Sequence, residues 1–295
     1  MITIKFFSSW LDDKATFDII NSSYDWNCDD NYNVKYKLTY NDDYTHAILL
    51  NNPTPSLNIP KENVIGLAQE PINILHVNVE YCNKHVSKYL IGNTSNLNLP
   101  FIETYSYILP ALSFQVVNNY INNYPIKNKI MNYVYSEKRG SHLLYDYRNA
   151  IGYEIIKNNL DVDIYGSGTI NLKSVYGNNN ANIKNLFDSP DAGLIYENYK
   201  FSIAIENSIH PEYFTEKIIL PLLCGCVPIY LGCTNIDNYF KDMVIHLTGV
   251  LEEDLKIISD ILENPDKYYK KICIEKIKEI IHMKNLINEN FLVVE

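Results

Sequence analysis

Between Tyr199 and Tyr230 the chain reads YKFSIAIENSIHPEYFTEKIILPLLCGCVPIY. Alternating Phe201, Ile203 and Ile205 predict a strand that ends at Glu206-Asn207. A polar loop with Pro211 follows, and Thr215-Glu216-Lys217 opens an apolar helix. Thr215 is suited to cap that helix, with Glu216 beside its positive end. Gly225 stops the helix, and Val227–Leu231 predicts the next strand. A strand–loop–helix–strand unit of this kind belongs to an open α/β sheet. Its polar residues gather at the strand's C-terminal end, where such sheets bind ligands.

The remaining text supports α/β structure throughout. Ile2–Phe7, His46–Leu50, Val64–Ala68 and Lys88–Gly92 predict strands in the first half. A Pro- and Asn-rich passage over 110–128 separates them from a second half that restarts with a strand at Ile130–Tyr135. A helix over about 141–159 and a strand at Asp161–Tyr165 follow. At 295 residues and 46% apolar content, the chain is expected to form two domains, 1–124 and 125–295, each with its own core. Gly166-Ser-Gly168 reads as a tight turn, and neither a GxxxxGK[ST] nor a GxGxxG phosphate signature is present.

A net charge of −10 argues against nucleic acid as a partner. An anionic ligand then needs a local cluster of cations, and the chain has only two arginines, Arg139 and Arg148. Cys224, Cys226 and Cys233 sit among apolar residues without histidine at ligand spacing and are read as core thiols, not a metal site. Asp161-Val162-Asp163 is a DxD pair of the kind that holds Mn²⁺ and a diphosphate. Here it lies in an alternating strand and is read as structural. With no basic leader and no run of eighteen apolar residues, the chain is expected to be soluble and cytoplasmic. The amphipathic text from Leu251 onward is expected to dock on the body, with peripheral membrane contact as its alternative use.

The motif Tyr199-Lys200-Phe201, Glu206-Asn207-Ser208, Tyr213-Phe214-Thr215-Glu216-Lys217, Val227-Pro228-Ile229 resembles the donor-binding segment of the α1,3/α1,4-fucosyltransferases, glycosyltransferase family 10. The resemblance implies a GT-B-like fold, two Rossmann-like domains facing a cleft. The N-terminal domain would hold a glycan acceptor and the C-terminal domain GDP-fucose. It implies inverting transfer of fucose to a glycan hydroxyl, with no cofactor and no essential divalent metal. Tyr147-Arg148-Asn149-Ala150 resembles the family's diphosphate-binding arginine, with Arg139 as the alternative. The donor set implied is Arg148, Asn207, Tyr213, Glu216, Lys217 and Glu206. Glu216 would stabilise charge developing on the sugar. The general base is assigned to Glu70, in Gly66-Leu67-Ala68-Gln69-Glu70-Pro71. A one-residue change of register would put Gln69 there instead, and Glu103 is the reserve. Two other readings stand beside this one. The first is a metal-dependent single-sheet transferase using Asp161 and Asp163. The second is a glycan- or nucleotide-binding protein without catalysis.

Overall fold

The computed structural model describes residues 2–24, 36–94, 97–105, 112–134, 136, 138, 144–165 and 195–291. Arg139 and the Gly166-Ser-Gly168 turn lie outside the described residues.

Two parallel sheets organise the chain. The first contains β1 (Ile2–Ser8), β2 (Tyr36–Thr39), β3 (His46–Leu50), β4 (Val64–Leu67), β5 (Lys88–Ile91) and β6 (Phe101–Glu103), in the order β2-β1-β3-β4-β5-β6. The second contains β7 (Lys129–Val134), β8 (Asp163–Tyr165), β9 (Tyr199–Ile205), β10 (Val227–Leu231) and β11 (Ile245–His246), in the order β11-β10-β9-β7-β8. Every strand pairing is parallel. Strands buried on both faces read as near-continuous apolar runs, as in Ala47-Ile48-Leu49-Leu50 and Val227-Pro228-Ile229-Tyr230-Leu231, all buried. Each expected strand forms, within a residue or two of its expected ends. The short strands β2, β6 and β11 carry too little pattern to be read from sequence.

The longer helices are α1 (Asp13–Ser23), α2 (Val79–His85), α3 (Phe114–Asn122), α4 (Tyr145–Lys157), α5 (Glu216–Leu223), α6 (Leu251–Glu263), α7 (Ile274–Ile281) and α8 (Met283–Phe291). Caps account for several starts: the side chains of Asp12, Asn78, Ser113 and Thr215 accept backbone N–H bonds in the first turns of α1, α2, α3 and α5. The amphipathic C-terminal text turns inward. Ile274, Ile277 and Ile281 of α7 are buried, and α7 packs on α3 and α5. At the end of α8, Phe291 meets His46 of β3 edge to face at 5.0 Å. These helices therefore fasten the second sheet's domain to the first. No described helix is long and apolar enough to cross a membrane.

Both sheets reverse their winding once, between β1 and β3 in the first and between β7 and β9 in the second. A ligand crevice opens at such a point, beyond the C-terminal ends of the strands. Glu206 and Asn207 follow β9 there, and α4 follows β7.

Candidate active site

The loop after β9 is built on a buried carboxylate. Glu206 is 0% exposed. Its Oε1 accepts from the Thr215 backbone N–H at 2.8 Å and its Oε2 from the Thr215 hydroxyl at 2.7 Å. Gly232 makes room for it, because a Cβ there would come within 2.4 Å of the Glu206 Cγ. Burial raises the Glu206 carboxyl above its ordinary range, against the pull of Lys217. Glu206 thus holds the cap of α5 from below, and Thr215 and Lys217 stand between it and the cleft.

Thr215 in turn orients Lys217. The Lys217 ammonium donates to Thr215 Oγ1 at 3.2 Å and to Glu216 Oε1 at 2.9 Å, and lies 3.7 Å from Glu206 Oε2. Burial works to lower its pKa, but the two carboxylates outweigh burial and hold it above its ordinary value. Burial likewise works to raise the Glu216 carboxyl, and Lys217 reverses that and holds it below its ordinary value. Both therefore stay charged at neutral pH. Glu216 keeps 47% of its side chain exposed to the cleft, while Lys217 keeps 18%.

Arg148 lies one turn into α4 and is 4% exposed. Its backbone is fixed by the Tyr133 hydroxyl, which donates to the Arg148 carbonyl at 3.0 Å. One guanidinium nitrogen donates to Asn207 Oδ1 at 3.1 Å, and Nε has no partner among the described residues. The amide of Asn207 then reaches across the cleft: its Nδ2 donates to Glu70 Oε2 at 3.2 Å. Arg148, Asn207 and Glu70 therefore form one chain of contacts joining the two domains.

Glu70 follows β4 and is half-buried. Burial raises its carboxyl, the Lys217 charge and the Asn207 hydrogen bond oppose the shift, and the net direction is up. Such a carboxylate accepts a proton more readily than an ordinary one. The neighbouring Gln69 is tied elsewhere: its backbone N–H donates to Asn51 Oδ1 at 2.8 Å and its side chain accepts from Asn51 Nδ2 at 3.3 Å. Of the two neighbours, Glu70 is the one that meets Asn207. Glu103 is exposed and accepts from the Thr94 N–H at 3.1 Å, away from this chain of contacts.

Tyr213 is 5% exposed and its hydroxyl has no partner among the described residues. Its loop rests on the first domain. A Cβ on Gly92 would lie 2.9 Å from the Glu212 carbonyl and the Tyr213 nitrogen, so only glycine admits this approach. Asn93 and His210 add a 2.9 Å contact beside it. A cavity of ≈ 300 Å³ is lined from one side by Gln69 and Glu70 and from the other by Tyr213, Thr215, Glu216 and Lys217. Its lining also includes Trp10 and Thr16, which the sequence reading did not single out. The available signal was the position of both just after the first strand, where a sheet's ligand edge begins.

The DxD pair lies at the opposite end of the second sheet. Asp163 opens β8 and accepts from Lys129 at 2.7 Å and from the Tyr199 hydroxyl. Lys129 and Tyr199 are themselves the first residues of β7 and β9. Glu206 lies a strand's length away, roughly 20 Å at about 3.3 Å per residue. Cys224, Cys226 and Cys233 are buried, and burial pushes the Cys224 thiol up to about 12. Among the described residues no group of His, Cys, Asp and Glu is arranged to hold a metal.

Comparison with known proteins bears on this arrangement. Residues 124–270 match the family model described as Glycosyltransferase family 10 (fucosyltransferase) C-term. GDP-fucose protein O-fucosyltransferase 3 of Xenopus tropicalis is 32% identical over 97 residues, 32% of this chain and 21% of that protein. Alpha-(1,3)-fucosyltransferase B of Drosophila melanogaster is 38% identical over 86 residues, 29% of this chain and 19% of that protein. The chain thus spans about a fifth of the length of these curated relatives. A crystal structure of an alpha1,3-fucosyltransferase superposes with a TM-score of 0.53 at 15% identity, covering 97% of this chain and 88% of that one. That likeness shows the fold, the GT-B arrangement of two facing Rossmann-like domains.

Proposed function

The chain belongs to glycosyltransferase family 10, and from that premise we propose that it is an inverting fucosyltransferase. It transfers L-fucose from GDP-fucose to a glycan hydroxyl, the 3-position of N-acetylglucosamine or glucose. The observation that carries this reading is the Arg148–Asn207–Glu70 chain. It sets a cation, at the second sheet's winding reversal, one amide away from a carboxylate of raised pKa on the other domain.

In this reading the C-terminal domain, 125–295, holds the donor. Arg148 and Lys217 meet the diphosphate. Asn207 and Tyr213 reach the nucleotide sugar, and Glu216 stands beside the fucose. Glu206 contributes by fixing Thr215 and Lys217. The N-terminal domain, 1–124, presents the acceptor to Glu70. The acceptor oxygen bonds to fucose C1 as the C1–O bond to the β-phosphate breaks. The bonding electrons leave with GDP, where the two cations stabilise them, and the acceptor proton passes to Glu70. Attack opposite the leaving group inverts the anomeric carbon. Two positive charges serve the diphosphate, so no divalent metal is required. Asp163 is committed to Lys129 and Tyr199 on the far side of the sheet.

A protein side-chain hydroxyl is the competing acceptor, suggested by the name of the Xenopus tropicalis relative. Transfer from GDP-fucose to oligosaccharides and to folded protein domains, assayed side by side, separates the two. Glu70→Gln keeps the shape and the Asn207 contact but removes the base. Transfer then falls by roughly 10²–10⁴-fold while GDP affinity holds. Parental transfer by Glu70→Gln refutes the assignment.

A further inference from the structure

The first sheet has its own winding reversal between β1 and β3, and it faces the same cavity. The chain leaves β1 at Ser8 and reaches Asp12, the cap of α1, through Ser9-Trp10-Leu11. Trp10 is 59% exposed and Leu11 43%, and both line the cavity that Glu70 lines. An indole left in water at a ligand edge contributes little to the fold. It offers a flat apolar platform with a polar N–H at its rim.

One turn into α1 stands Thr16, 2% exposed, whose hydroxyl has no hydrogen-bond partner among the described residues. It lines the same cavity. Buried hydroxyls without partners are uncommon, because an unpaired one has given up its bonds to water without replacing them. The second orphan on this cavity, the Tyr213 hydroxyl, comes from the other domain. A ligand here therefore needs one apolar face and several hydroxyls. A pyranose has this chemistry: its axial C–H bonds pack on an aromatic ring while its equatorial hydroxyls point outward.

We infer that the segment from Ser8 to Thr16 is the sugar subsite for the acceptor, in which a pyranose stacks on the Trp10 indole and bonds the Thr16 hydroxyl. The word acceptor rests on the fucosyltransferase reading above; the sugar-binding role does not. Trp10 is a specificity-determining residue under this proposal. It sets which acceptor rings reach Glu70 without touching the donor.

The chain has two tryptophans, Trp10 and Trp26. A Trp26→Phe variant therefore reports on Trp10 alone. Titrated with N-acetyllactosamine or lactose and no donor, it is expected to show a saturable change in emission. Trp10→Ala is expected to raise the acceptor KM by about 10-fold or more, with Trp10→Phe recovering part of the loss. Thr16→Val, equal in shape, is expected to raise it by about 3- to 10-fold. GDP affinity, measured by calorimetry, stays parental in all three. The proposal is overturned if emission is flat at saccharide concentrations that saturate transfer, or if Trp10→Ala keeps the parental acceptor KM. It is also overturned if emission responds to phospholipid vesicles and not to saccharide. Saturable sugar binding at Trp10 without any fucosyl transfer supports the subsite and overturns the fucosyltransferase reading instead.

Discussion

Replacing Asn207 by Asp tests the link between the two domains most directly. Asn207 accepts from Arg148 with one atom and donates to Glu70 with the other, at 3.1 and 3.2 Å. An aspartate keeps the first contact and strengthens it, so buried Arg148 retains its partner and the fold is preserved. The second contact changes sign. An ionised Asp has no proton to donate and stands against another carboxylate at about the same distance. Two like charges at that separation repel by roughly 5 kcal/mol at an effective dielectric of about 20. Glu70 is half-buried, so solvent and the nearby Lys217 charge screen much of this. A rise of about 1–2 pH units in the Glu70 pKa is the expected remainder. In the proposed reaction Glu70 must be ionised to accept a proton, so transfer is expected to fall as pH drops through its pKa. In the parent that acid limb is expected above the ordinary glutamate value of 4.5, because burial raises Glu70. In Asn207→Asp it moves up by a further unit or two. The assay is kcat/KM for transfer between about pH 4 and pH 9, with thermal unfolding run in parallel. An acid limb at the parental position, in a variant of parental Tm, refutes the reasoning. It would mean that residue 207 does not govern the base.

Other outcomes follow from the same geometry. Arg148→Ala is expected to weaken GDP binding by about 10- to 100-fold in calorimetry, the scale of a charge-assisted hydrogen bond, with Arg148→Lys recovering part. Transfer is expected to survive excess EDTA; complete loss restored by Mn²⁺ would return the Asp161 and Asp163 reading to favour. Glu70→Gln has a stability signature as well as a kinetic one. A carboxyl whose folded pKa is raised contributes stability that is full below its unfolded pKa and lost as pH rises through the folded one. Near pH 7 the variant is therefore expected to unfold at a higher temperature than the parent, and near pH 4 the difference is expected to vanish. An equal Tm shift at both pH values would assign the effect to something other than this ionisation.

The strand–loop–helix–strand text from Tyr199 to Leu231 was legible without a structure, because apolar alternation, a capping threonine and a stopping glycine are local signals. They placed Glu206, Asn207, Thr215, Glu216 and Lys217 at one sheet edge, and they stand there. The strands with strong patterns were legible for the same reason. The sequence did not reveal that Glu206 lies beneath Thr215, since burial of a strand-end residue depends on what the next strand leaves open, here Gly232. That Gln69 turns to Asn51, eighteen residues earlier and just past the neighbouring strand, while Glu70 meets Asn207 was likewise not legible. The Asp161-Val162-Asp163 pair was read as structural, and Asp163 pairs with Lys129 and Tyr199; which partners it meets was not legible, because strand direction decides which end of a sheet a residue occupies. The contacts that matter most to the proposed chemistry join residues 59 and 137 positions apart. Periodicity and capping act over one or two turns. Only the packing of two whole sheets, with α7 and α8 fastened across them, brings Arg148, Asn207 and Glu70 to a single point.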